Sequence, residues 1–176
     1  SVPSNVDYIS TSLAGQNFRD PAAGQGYVRL TNRSLFGTGA VMQDVNQGQV
    51  GDCFYLAALE GLANGQPQRI EQSAVDLGDG TYAVTMLARG NWITLRVDGD
   101  LPGSGSSLYY AHPGSSGDIW APIMEKAYAF ARSGANSYSS IDYGSVVEGI
   151  QTFGLSYSGI SYSSDDATLY AWATAQ

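Results

Sequence analysis

The chain has 176 residues, enough for one domain with a substantial core or for one domain and part of a second. Its formal net charge of −8, from twelve Asp and four Glu against seven Arg and one Lys, argues against nucleic acid or an anionic membrane as a partner. No apolar run is long enough to cross a membrane, no signal-peptide pattern opens the chain, and a single cysteine excludes an internal disulfide.

Residues 1–36 carry little periodicity; Tyr27–Leu30 is a short strand candidate in an arm expected to wrap the outside of the domain. In G-T-G-A-V-M-Q-D-V-N (37–46), Gly37 and Gly39 suit a loop whose carbonyls turn inward, and Asp44 adds a carboxylate. Hard cations bind such mixtures of carbonyl and carboxylate oxygen, although an acidic surface also serves solubility alone.

Q-G-Q-V-G-D-C-F-Y-L-A-A-L (47–59) places the only cysteine, Cys53, where a Gly51-Asp52 break hands over to a helical pattern that stops near Asn64-Gly65. A helix start stabilises an anion, which favours a thiolate there. Gln47, across a glycine-containing loop, offers an amide N–H to the oxygen that turns negative when a thiolate attacks a carbonyl. The plainer reading is a structural cysteine on a buried helix.

Residues 66–80 read as a turn-rich connection ending in Asp79-Gly80. Tyr82, Val84 and Met86, then Ile93, Leu95 and Val97, alternate on either side of Arg89-Gly90, which predicts a β-hairpin over 81–88 and 91–98. Asp98 to Pro102 ends it, and Asp98 and Asp100 read as a solvated turn ahead of a cation site. His112, the only histidine, falls in a loop. D-I-W-A-P-I-M-E-K-A-Y-A-F-A-R (118–132) predicts a helix, with Asp118 as N-cap and Pro122 near the first turn. A Gly-, Ser- and Tyr-rich region (133–164) follows, and a further helix is expected after Ser164.

Three segments together resemble the calpains, the calcium-dependent branch of the papain-like cysteine proteases: residues 47–59, with Val50 and Phe54 where Leu and Trp are usual; M-E-K-A-Y-A in the 118–132 helix; and D-Y-G-S-V-V-E-G-I-Q-T-F-G (142–154). The resemblance runs from about Gly37 to Gln176. It implies an α+β, papain-like fold in which 1–36 is an N-terminal arm and 37–141 the subdomain carrying the catalytic cysteine. Residues 142–176 would be a linker and the incomplete start of the subdomain bearing His and Asn. It implies Cys53 as nucleophile, Gln47 in the oxyanion hole, and Gly144 bordering the bound peptide, beside the plainer reading of 144 as flexible loop. Calcium would be held by the Gly37 and Gly39 carbonyls, Asp44 and Asp118, with Asp standing where Glu is usual at 118 and Gly37 where a branched residue is usual.

In that arrangement the general base follows much later than His112, so His112 is not assigned the role and the base is expected outside this chain. The implied activity is a calcium-dependent cysteine endopeptidase acting on protein or peptide, with the chain alone inactive and the missing protease half a partner, in the same gene or a separate chain. The alternative is a catalytically inactive module that binds calcium or peptide. Composition leans only faintly toward a bacterial extracellular origin.

Overall fold

A computed structural model of the chain describes residues 20–23, 26–30 and 32–156; the helix expected after Ser164 lies outside them. In chain order the elements are β1 (Tyr27–Arg29), α1 (Cys53–Gly65), α2 (Pro67–Ser73), β2 (Ala74–Asp76), β3 (Thr81–Ala88), β4 (Asn91–Asp98), β5 (Asp100–Ser104), β6 (Ser107–Leu108), α3 (Trp120–Ala131) and α4 (Val146–Gln151). Short 3-10 turns lie at Met42–Asp44 and Tyr138–Ile141. This is a mixed α+β arrangement with two small antiparallel sheets, ordered β2-β3-β4 and β1-β5-β6.

The hairpin follows from its alternation. Tyr82 faces Val97, Val84 faces Leu95 and Met86 faces Ile93, and all six are buried. Arg89 and Gly90 both take positive φ, 51° and 79°, the two-residue reversal whose twist matches that of paired strands. The buried side of this hairpin packs on α3.

Helix α3 is buried along its whole length because its sequence is apolar on every side except at Glu125 and Lys126. Its Pro122 sits in the first turn, where a missing N–H costs no intrahelical bond. Helix α1 crosses onto it through aromatic contacts: Tyr55 stacks on Tyr128 with centroids 4.0 Å apart, and Phe54 meets Tyr128 edge-on at 6.2 Å. Helix α4 closes on the other side of α1, where a Cβ on Gly149 would lie 2.6 Å from that of Ala58. The close approach of these two helices requires a glycine there.

Several local expectations change. The connection 66–80 contains α2, which Pro67 opens at its first position, and then β2. The stretch after Asp98 continues as β5, paired with β1 so that Val28 faces Leu101; part of the expected outer arm is therefore woven into a sheet. The Gly/Ser/Tyr-rich region holds α4, capped by the Ser145 hydroxyl accepting the Glu148 N–H at 3.4 Å. Asp118 does not cap α3. The N-cap is Ile119, and the Asp118 carboxylate instead accepts the Gly37 N–H at 2.8 Å.

Candidate active site

Cys53 is the first residue of α1 and is exposed. The opening N–H groups of a helix have no intrahelical acceptor, so the Cys53 N–H is available to an incoming oxygen. Asp52, at the N-cap position, makes no capping bond with its side chain. Its carboxyl turns inward and is fully buried.

The loop leading to Cys53 is fastened on two sides. On one, the Gln49 N–H donates to Tyr109 O at 2.7 Å and the His112 N–H donates to Asn46 O at 3.1 Å. Gly48 lies so close to that strand-like stretch that a Cβ there would come within 2.3 Å of both Tyr109 O and Tyr110 O. On the other side the Gly51 N–H donates to Asp142 Oδ1 at 2.8 Å, and the Tyr143 N–H donates to Gly51 O at 2.9 Å. Within the loop, Gln47 Nε2 donates to Val50 O at 3.0 Å. A primary amide has two N–H groups, so one anchors the side chain and the other is left for a ligand.

Gly144 follows directly on the Asp142–Tyr143 fastening. A Cβ there would meet the Phe54 ring at 2.5 Å, so its bare backbone rests on the residue next to Cys53. The Phe54 ring is in turn covered by the Arg132 guanidinium, 5.0 Å from its centroid, and Arg132 pairs with Glu148 at 2.8 Å. Sequence positions 47, 53 and 144 are thus tied into one surface by main-chain bonds and by Phe54. Asp142 and Tyr143, which do the tying, carry no local sequence signal for it.

His112 is not directed at Cys53. Its Nδ1 pairs with Tyr110 O at 2.9 Å, and its ring lines a cavity with Leu30, Arg33 and Leu108.

Beneath the loop, Asp52 faces Glu125 of α3, which is also buried. The Ala111 N–H donates to both Glu125 oxygens at 3.1 Å, whereas neither Asp52 oxygen finds a donor of ordinary hydrogen-bond geometry. Burial pushes the Asp52 carboxyl up to about 6. Burial, reinforced by the Asp52 charge, pushes Glu125 well above the usual carboxylate range. Two buried carboxyls that face each other disfavour simultaneous ionisation, so the pair titrates as a unit.

For Asp52, a raised carboxyl contributes stability that is complete below its ordinary value near 4 and is lost as pH rises through about 6. Asp52→Asn removes that dependence. Unfolding in urea from pH 4 to pH 7 should therefore show a flatter decline in the variant, by about 2 kcal/mol across the interval. Parallel profiles would show that Asp52 does not titrate in this way.

The loop carrying Gly37, Gly39 and Asp44 lies at the N-terminal end of α3. Asp44 is fully buried and accepts from Val41 N–H at 3.4 Å, Trp120 Nε1–H at 2.8 Å and the Ser116 hydroxyl. Ser116 Oγ also accepts the Asp118 N–H at 3.0 Å, so it links the two acids. Gly37, Asp44 and Asp118 are thereby brought together. A Cβ on Gly39, at φ 105°, would point at Glu71 of α2, whose Oε1 accepts the Ala40 N–H at 3.0 Å. Glu71 was not legible as part of this region. The donors are carboxylate and carbonyl oxygen, the chemistry that suits a hard divalent cation. Among the described residues no three His, Cys, Asp or Glu side chains converge, so a cation here would depend on loop carbonyls.

A family model described as calpain family cysteine protease matches residues 25–174. The chain is 32% identical over 129 residues to Calpain clp-4 of Caenorhabditis elegans, covering 70% of this chain and 18% of that protein. It is 32% identical over 122 residues to the Calpain-2 catalytic subunit of Gallus gallus (65% and 17%) and 31% identical over 130 residues to Calpain-5 of Mus musculus (68% and 20%). The matched part spans about a fifth of the length of these curated relatives.

Proposed function

Because the chain belongs to the calpain family of cysteine proteases, we propose that it supplies the nucleophile and the oxyanion donors of a peptidase that cleaves protein substrates. The observation that carries this reading is the exposed Cys53 at the first position of α1, with Gln47 fixed on the loop before it.

The Cys53 thiolate attacks the peptide carbonyl carbon, forming the C–S bond as the carbonyl π pair moves onto oxygen. That oxygen is received by the free Gln47 amide N–H and by the Cys53 N–H, donors already aimed before charge develops. Collapse of this intermediate breaks the C–N bond, and the amine leaves with a proton delivered by a histidine outside these residues. Water, losing a proton to that histidine, then adds to the thioester carbonyl, and collapse breaks the C–S bond to release the acid and return the thiolate. Gly144, bare of side chain, lets an extended peptide run along the wall formed by 142–144.

Modification of Cys53 in the full-length protein by one equivalent of iodoacetamide, located by mass spectrometry, should abolish peptide cleavage. Cleavage that survives complete labelling at Cys53 would refute its role. The 176-residue chain alone is expected to show no turnover, since its only histidine is engaged elsewhere.

Asp44, Asp118 and the Gly37 and Gly39 carbonyls would hold calcium. When bound, the ion supplies positive charge that neutralises the two acids and ties the 37–46 loop to the start of α3. Calorimetric titration of calcium should give heat that Asp118→Ala diminishes. Identical heats in the two proteins would remove Asp118 from the ligand set.

A further inference from the structure

Tyr143 combines three properties that an ordinary loop residue does not. Its backbone takes φ 58°, a region where a bulky side chain is strained and where glycine or asparagine is the usual occupant. Its side chain is 81% exposed, the most exposed large apolar residue among those described. Both its main chain and its ring lie against Gly51, two residues before Cys53: the N–H donates to Gly51 O, and a Cβ built on Gly51 would lie 3.8 Å from Tyr143 Cε1. That same point lies 2.4 Å from Asp142 Oδ1, so an aromatic ring and a carboxylate flank one spot above the loop.

Strain held beside a reactive group, by one main-chain bond to Gly51 and by the neighbouring Asp142 carboxylate that accepts the Gly51 N–H, points toward use of the side chain. A folded chain with net charge −8 adds a favourable field for a cation there. A ring face with a carboxylate at its side suits a planar guanidinium, which stacks on the one and pairs with the other.

We propose that Tyr143 is a specificity-determining residue whose ring, with the Asp142 carboxylate beside it, seats an arginine of the peptide substrate. This rests on the reading of Cys53 as the nucleophile of a peptidase, and it concerns which peptides the site selects. A lysine fits less well, since a compact ammonium does not stack. Leucine gains contact with the ring but nothing from the carboxylate.

The experiment uses the full-length protein and fluorescein-labelled eight-residue peptides of alanine carrying one arginine or one leucine at each position in turn. Binding is read by anisotropy on Cys53→Ala protein, which separates recognition from chemistry, and cleavage is read on the unaltered protein. At one position, arginine should tighten binding over leucine by about threefold, the effect of an exposed cation over a ring. Tyr143→Gly, which also relieves the backbone, should bring the ratio to about one, while Tyr143→Phe should preserve it. An arginine preference that survives Tyr143→Gly, or the absence of any such position, overturns the assignment. Preserved preference in binding with no cleavage by the unaltered protein would sink the peptidase reading and leave the arginine seat standing. Cleavage without the preference would do the reverse.

Discussion

Replacing Gln47 with alanine should lower kcat of the full-length protein about 10²–10³-fold with KM little changed, the cost of removing one donor from an oxyanion site. The side chain is exposed and its one described hydrogen bond is local, to Val50 O at 3.0 Å, so the fold should lose little by its removal. The loop itself stays fastened through Gln49 and Gly51, which keeps Cys53 in place. On the proposed reading, what is lost is a donor to an oxygen that becomes charged only as the reaction proceeds, and this is why the effect belongs on kcat. Initial rates over a range of peptide concentrations separate the two constants. A loss below tenfold, or one carried by KM, would show that Gln47 acts in some other way.

The second large effect concerns the chain's only lysine. Lys126 is completely buried in α3, yet its ammonium is enclosed by oxygen: Asp98 Oδ1 at 2.6 Å, Asp100 O at 2.6 Å and Asp20 Oδ1 at 2.5 Å. The Tyr27 ring lies 5.7 Å away. Burial already raises the Asp20 carboxyl, and the Lys126 charge works against that rise. Lys126→Met fits the volume but leaves two carboxylates and a carbonyl facing an apolar group. Such a break is expected to cost about 3–5 kcal/mol, which lowers Tm by about 10 °C in a domain of this size. Adding Asp20→Asn and Asp98→Asn should restore part of the loss, because the penalty lies in the abandoned charges. A Tm within about 3 °C of the unaltered protein would mean that water reaches these oxygens readily.

Much of this fold is legible in the sequence where periodicity is strong. The 81–98 alternation gives the hairpin and its buried side, and the apolar run after Cys53 gives α1 with both ends placed. The misses share a cause. Helix α4 and β5 are short and carry Gly, Ser or Pro, so local propensity says loop while tertiary partners say otherwise: α1 supports α4 and β1 supports β5. Asp118 looks like a cap from its position, but a carboxylate goes to whichever N–H faces it, and Gly37 is 81 residues away. Cys53 and Gln47 stand out because they share one short loop. Asp142 and Tyr143 do not, because they reach Gly51 across 91 and 92 residues of chain. No helix among the described residues is long and apolar enough to cross a membrane.

Glu125 and Lys126 are neighbours in α3, and successive side chains on a helix diverge by about 100°. One therefore reaches toward Asp52 and Ala111 at the base of α1, the other toward Asp20, Asp98 and Asp100 at the sheets. An all-apolar shaft of Ala, Ile, Met and Phe would tolerate sliding by a turn or rolling on its axis with little change in buried surface. Two polar keys cut on different sides allow neither, since any displacement would strand both at once. A ratcheting of α3 is thereby closed off, and any rearrangement around it falls to the loops beside its ends: Gly37 to Asp44 at one, Asp142 to Gly144 at the other.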